Sequence, residues 1–431
     1  LGLEPEMSTQ LLAQTIRDAS PVSHSRNVLK ISSDDSPETL LARARSALNR
    51  SDRSTVEALL KQLQLQLPAE VSESIRWLEI DLALRFHDIV RAEQLLDRCD
   101  RCLPQTMIRD AEVALVRRQW KKAISMAEDT LMVANFNGDS IAEARALWVI
   151  ADAEQRIGKR SNAYRAGERA LAISRLNGPP EHTIDCLVTL GRMLVMEGRF
   201  QQAGMHASEA IALAQRFDFP LHYTHAMRLS GWTQARAGHL STALDSYEEA
   251  LTSCRNIGIP RLEARILNEL AECCDLLGMS RRSLTLLKDA EALLNQLQAP
   301  IPVAINQYHQ VFTYLFMGDE QAEQSIELAR AALAVFRHYQ QTHWIAVGLV
   351  ALGYAQWVGG YHRQALVSLA ESYQLHDQLN EREKFCEILA LQAHTHLGLE
   401  QNREALARSR QAVLSLTQGS RSKDMQVDVY Y

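Results

Sequence analysis

Turn-forming residues are scarce in this 431-residue chain. Its 19 glycines and 11 prolines are too few for an all-β protein, whose hairpins and corners need tight turns throughout. A basic excess is missing as well. Lysine and arginine number 46 against 52 aspartates and glutamates, a net charge of −6, so the chain lacks the cationic face by which nucleic-acid binders hold phosphates. Leu1 to Glu6 has neither the cationic start nor the apolar run of a secretory leader. With no such leader, an odd count of 7 cysteines points to reduced thiols and a cytoplasmic setting. The closest approach to a long hydrophobic run is Thr342 to Tyr361, which carries no Asp, Glu, Lys or Arg. A membrane helix needs about 20 predominantly apolar residues. This stretch is broken by His343, Gln356 and four glycines, and it falls into the repeat described below, so no membrane partner is expected.

Motifs that carry chemistry are absent too. There is no Gly-rich loop ending in Gly-Lys-Ser/Thr, no G-x-S-x-G and no H-E-x-x-H. Cys99-Asp100-Arg101-Cys102 is a C-x-x-C, but no second pair stands at zinc-site spacing and no strand–helix context suits thiol exchange, so the two read as helix-end cysteines. His394 and His396, two apart, fall on different sides of a helix. His222 and His225, three apart, share a face but lack a Cys or carboxylate at ligand spacing; they read as solvated or groove-lining. Arg281-Arg282 and Lys121-Lys122 read as solvated pairs. The expectation is therefore no catalytic residues, no cofactor, no metal, and no enzyme.

What the chain does contain is a clock. Glycines stand at Gly158, Gly198, Gly238, Gly278 and Gly318, in steps of 40. Prolines follow 22 residues later, at Pro180, Pro220, Pro260 and Pro300. Ala123, Ala163, Ala203, Ala243 and Ser283 keep the same time. The register slips by two near residue 320 and resumes with Gly360, Ala365 and Ala405. Within one period, Ile184, Leu187, Val188, Leu190, Gly191, Leu194 and Val195 form one apolar helix face. Gly198 caps that helix, because glycine takes the left-handed conformation at no steric cost. Phe200, Ala203, Ala207, Ala210 and Ile211 form a second face, and Pro220 halts one helix and opens the next. A lone helix pair cannot bury its apolar faces, so the units must stack into a solenoid. Regular units run from about Asp110 to Leu416, with two less regular ones upstream whose first helices end near Asn49 and His87.

This pattern resembles the tetratricopeptide repeat. Ala243, Tyr247 and Ala250 match the family's small–aromatic–small signature in its second helix, Gly231 its small position in the first, and Gly238 and Pro260 its turn and terminator. The period departs from the family's usual 34 or so. Its 40 residues are similar to the sensor region of MalT-type bacterial transcription regulators. The resemblance implies an all-α, right-handed superhelical solenoid of about ten antiparallel helix pairs over residues 37–417. Leu1-Gly2-Leu3-Glu4-Pro5, with Leu11, Leu12 and Ile16, resembles the end of the bacterial transcriptional activator domain, which lies downstream of a winged helix. Residues 1–19 are thus expected to be the terminal helix of a truncated upstream domain, 20–36 a Ser-, Asp- and Pro-rich linker, and 418–431 a polar tail.

In tetratricopeptide arrays the first helix of each pair lines the concave groove. Register places Arg145, Trp148, Asp152 and Arg156 there, then Asp185, Arg192 and Met196, then His225, Arg228, Trp232 and Arg236. Arg265, Asn268, Glu272 and Asp275 follow. Later units turn aromatic: Tyr308, Phe312 and Phe316, then Val350, Tyr354 and Trp357. Guanidinium groups beside Trp and Tyr suit carboxylate-bearing or extended peptide ligands. Arg192, Arg228, Arg236 and Arg265 are expected to concentrate positive charge in one groove and to favour an acidic partner segment. The expected role is the interaction or signal-sensing module of a bacterial transcriptional regulator. It would bind a protein partner or inducer and meet DNA only through a domain outside this chain. The alternative is a general scaffold or adaptor unrelated to transcription.

Overall fold

A computed structural model of the protein describes residues 37–66 and 72–419. The helix expected over residues 1–19 and the linker over 20–36 lie outside the described residues, as does all but the start of the tail expected over 418–431; residues 418 and 419 instead extend the last helix.

The described residues form twenty α-helices. The first four are α1 (Pro37–Asn49), α2 (Arg53–Gln66), α3 (Ser72–Arg85) and α4 (Ile89–Leu96). Then come α5 (Pro104–Val116), α6 (Trp120–Asn137), α7 (Ser140–Arg156), α8 (Arg160–Asn177), α9 (Pro180–Met196) and α10 (Phe200–Arg216). The middle holds α11 (Pro220–Arg236), α12 (Leu240–Ile257), α13 (Pro260–Leu276), α14 (Ser280–Gln296) and α15 (Pro300–Met317). The last five are α16 (Ala322–His338), α17 (Thr342–Val358), α18 (His362–Gln378), α19 (Phe385–Gly398) and α20 (Asn402–Gly419). They pair in chain order into ten antiparallel units. First helices also pack against the first helices of the next repeat, as α7 does on α9 and α15 on α17. Second helices make no comparable contact among the described residues. The first helices therefore crowd the concave side, and the second helices fan out on the convex side.

Local chemistry explains the punctuation. Pro180, Pro220, Pro260 and Pro300 open α9, α11, α13 and α15 at the first turn, where the missing N–H costs nothing. Gly158, Gly198, Gly238 and Gly278 turn the chain between paired helices at φ of 82°, 76°, 84° and 74°. At the equivalent turns in other repeats, Arg118 and Glu400 take the same left-handed conformation at φ of 61° and 60°. Each non-glycine residue there costs about 1–2 kcal/mol. The glycine clock falls silent at these turns, but the turn itself persists. The slip of two has a simple cause: a 3₁₀ turn over Asp319–Gln321 delays α16 to Ala322.

Packing follows the small positions. A Cβ on Gly191 would stand 2.5 Å from Leu229 Cδ2, so glycine is what lets α9 and α11 approach. Tyr247 fills the space over Gly231, and Ala243 is wholly buried beside it. Val350, expected in the groove, is instead buried with Leu369 and Ile388 between helices. The uncharged stretch is α17, apolar because its neighbours enclose it; among the described residues no helix is long and apolar enough to cross a membrane.

The superhelix also turns back on itself. Asn49 Nδ2 donates to Glu181 Oε1 at 3.1 Å, although 132 residues separate them. Arg85 donates to the Leu48 carbonyl at 2.6 Å, and Phe86 packs against the core of α11–α14. The first two repeats thereby wall one side of the groove.

Candidate ligand groove

A 40-residue period returns equivalent first-helix positions to the same side, one repeat apart. Side chains on the concave face reach across that step, and the groove is a ladder of pairs separated by about one period. Arg145 lies between Glu112 and Asp185, donating to Asp185 at 2.6 Å, with its guanidinium carbon 4.0 Å from the Trp148 ring centre. Trp148 Nε1 donates to Thr189 Oγ1 at 3.0 Å. Arg192 donates to Asp152 at 2.9 Å and to Gln155 at 3.2 Å, while Arg156 stands 3.9 Å from the same aspartate. One unit on, Glu269 accepts from Arg228 at 3.4 Å and Arg265 at 3.2 Å. Toward the N-terminus, Arg109 grips Asp81 with two bonds of 2.7 and 2.6 Å.

These neighbours set the charge states. Burial works against the charge on Arg145, but Glu112 and Asp185 outweigh it and hold the guanidinium above its ordinary range. Burial would raise Asp152 and Asp185, yet Arg192 and Arg145 respectively bring both below the usual carboxylate range. Arg228 is pushed down to about 10 by burial and by Arg265, and Arg156 to about 10 by burial and by Arg192. Burial raises Glu272, with Glu269 adding to it and Arg236 opposing. Burial holds the histidines neutral, His182 at about 3 and His222 at about 4, while His225 lies well below its usual value.

The groove changes character at α15. Tyr308 meets Phe312 edge-on at 5.2 Å and Trp344 at 6.1 Å. Phe312 stacks on Tyr354 at 6.1 Å and Tyr354 on Trp357 at 5.7 Å, while Trp357 meets His394 at a tilt at 5.7 Å. Tyr308, Phe312, Trp344, Tyr354 and Trp357 are each partly buried and His394 is exposed, so the rings form an apolar wall from α15 to α17 that ends at the exposed imidazole on α19.

Several expectations change in detail. The arginines reach the groove, but Arg145, Arg192 and Arg228 arrive already paired with a carboxylate about one repeat away, and Arg265 with Glu269 one turn along its own helix. Asn268 accepts from the buried Asn306 at 2.7 Å, and Asp275 accepts from Ser283 and Thr313 at 2.8 and 2.6 Å, so both tie helices together. Trp232 is half-buried against the cores of two neighbouring repeats. Arg236 stays exposed near Glu272. His222 is not solvated but buried, 3.7 Å from Asp185. His396 bonds Gln401 while His394 meets Trp357, on separate sides as their spacing requires. Cys99 is buried and Cys102 exposed, with no bond between them. No group of His, Cys, Asp and Glu among the described residues is arranged to hold a metal. Residue patterns missed Glu112, Arg118, Glu269 and Trp344. The signal for the ion pairs was present, since Arg145 and Asp185, or Asp152 and Arg192, stand one period apart with opposite charge.

Comparison with known proteins agrees with this geometry. Residues 183–256 match the model of the tetratricopeptide repeat. The fold is a tetratricopeptide-repeat solenoid. No curated protein matches the chain. Among solved structures, the solenoid is similar to a Rap protein complexed with competence and sporulation factor (TM-score 0.58, 10% identity, 90% of this chain and 99% of that one). It is also similar to NprR in complex with its cognate peptide NprX (0.53, 17%, 80% and 100%). A third is a signal transduction ATPase with a tetratricopeptide repeat sensor from Pyrococcus horikoshii (0.54, 14%), where the match covers 82% of this solenoid and 54% of that chain. At such identities the likeness is one of fold.

Proposed function

We propose that this chain is the ligand-sensing module of a bacterial transcription regulator, taking a protein or peptide segment along the concave face between α7 and α19. The observation that carries it is the division of one continuous face into an arginine-lined half and an aromatic half. An extended peptide can satisfy both, placing polar groups on the first and apolar side chains on the second. The similar NprR structure holds a peptide, which supports the reading. The 40-residue period and the Leu1-Gly2-Leu3-Glu4-Pro5 segment support attachment to a MalT-like or activator-domain regulator of the cytoplasm. DNA contact then belongs to a domain outside this chain. The role is binding, not catalysis.

The test uses a photo-cross-linking amino acid in place of Tyr308 in the groove and, separately, of Leu176 on the convex side, in cells carrying a reporter for the full regulator. Cross-links to a peptide or protein segment from position 308, lost in Phe312→Ala with Trp357→Ala, are expected, with reporter output changed in that double variant. Cross-links from position 176 alone, with an unchanged reporter, would refute the groove.

A further inference from the structure

Six guanidiniums converge on the middle of the groove from successive repeats. Arg118 comes from the turn after α5, Arg156 from the end of α7, Arg192 from α9, Arg228 from α11, and Arg261 and Arg265 from α13. Two carboxylates face them at ion-pair distance. Asp152 is shared by Arg156 and Arg192, and Glu269 by Arg228 and Arg265. Six positive charges against two negative leave an excess of four; counting Arg236 with Glu272 beside it leaves that excess unchanged. Arg118 and Arg261 are exposed and make no ion pair among the described residues. Arg228 is nine-tenths buried, and its Nε–H has no hydrogen-bond partner.

Holding like charges together in a crowded groove is costly, all the more in a chain whose net charge is −6. Arg118 and Arg261 are exposed, and the ladder of buried pairs is complete without them. Guanidiniums clustered in this way are suited to bidentate capture of carboxylate or phosphate oxygens.

We propose that this cluster is a polyanion site, taking a ligand group that carries two or more closely spaced negative charges. Adjacent acidic side chains of a peptide and a phosphate chain share that chemistry. The proposal rests on the groove reading above and adds the ligand's chemical class. An acidic segment seated on Arg228 and Arg261 would run its following residues toward Tyr308 and Phe312 one repeat away.

The experiment measures binding of hexaglutamate and of inorganic tripolyphosphate to the full chain by calorimetry and thermal shift, at matched ionic strength. Binding with a rise in Tm is expected, because an anion that relieves the repulsion binds the folded state alone. Arg118→Gln with Arg261→Gln is expected to weaken either probe about tenfold or more while leaving the helical circular dichroism intact, since both side chains are exposed. Arg175→Gln with Arg282→Gln, on second helices, is expected to change nothing. Tighter hexaglutamate identifies a peptide source, and tighter tripolyphosphate a phosphorylated one; both support the site. Failure of both probes, equal loss in the two double variants, or preference for a single-stranded oligonucleotide of equal charge would overturn it. Failure of the probes with persistent cross-linking at position 308 would remove this proposal and leave the groove reading standing.

Discussion

The groove from α3 to α13 and the groove from α15 to α19 share one backbone grammar and opposite chemistries. In the first, arginines and carboxylates alternate across repeats, and the buried Arg145, Asp152 and Arg228 depend on partners roughly one period away. In the second, Tyr308, Phe312, Tyr354 and Trp357 lean on one another and need no partner of opposite sign. A buried ion pair adds little net stability, yet removing one member leaves a desolvated charge with nothing to answer it. A half-buried ring that is truncated loses area and contacts in proportion. The two halves should therefore fail differently, and that difference can be measured.

The largest effect is expected from Arg145→Leu, which strands Glu112 and Asp185 together with no cation between them. A loss of about 3–5 kcal/mol in urea denaturation is expected. A loss under about 1 kcal/mol would show that water already screens the pair and that the charged half is as forgiving as the aromatic one. Phe312→Ala removes a ring from the middle of the aromatic wall. Because that ring is only half-buried, about 1–3 kcal/mol is expected, less than the full core cost of such a truncation. Urea midpoints of the two variants, measured side by side, rank the halves directly.

Acid sharpens the contrast. Histidines in the unfolded chain take up protons near pH 6.5. In the folded charged half His222 does so only near 4 and His182 near 3, with His225 also far below its usual value. The unfolded state binds more protons across that window, so stability falls as pH drops from about 6.5 toward 4. The slope approaches about 1.4 kcal/mol per pH unit for each histidine fully in play. His222→Gln should flatten the curve measured between pH 7 and 5. Asp152 and Asp185, held low by their arginines, keep their charge until the pH is below the ordinary carboxylate range, so their contribution is lost later. On the aromatic face His309, held near 4 by burial, is the corresponding group, and His309→Gln should flatten the curve by less than His182→Gln and His222→Gln together.

The smallest effect is expected from reductant. Burial pushes Cys186 and Cys254 up to about 12 and Cys99 and Cys273 up to about 11, so their thiols stay protonated and unreactive at neutral pH. Melting curves with and without dithiothreitol should superimpose. A drop of several degrees on reduction would reveal a disulfide that ties the repeats together.

Much of this molecule was legible in its residues because a repeat writes the same physical demands many times over. Proline at the first turn of α9, α11, α13 and α15, glycine at left-handed turns and small residues at helix crossings are local requirements, each met by few side chains. Their recurrence every 40 residues therefore determined the helix pairs, their order and the face that turns inward. Where a turn tolerates other residues, as at Arg118 and Glu400, the clock was unreadable although the backbone kept time. What only the tertiary structure decided is how the groove residues spend their charge. Whether Arg228 meets Glu269, whether Val350 faces the groove or the core, and whether Asn49 reaches Glu181 depend on the pitch and twist of the stack. Those quantities sum small rotations over many repeats. No single residue encodes them, and a side chain's partner one repeat or three repeats away is settled only when the whole superhelix has closed.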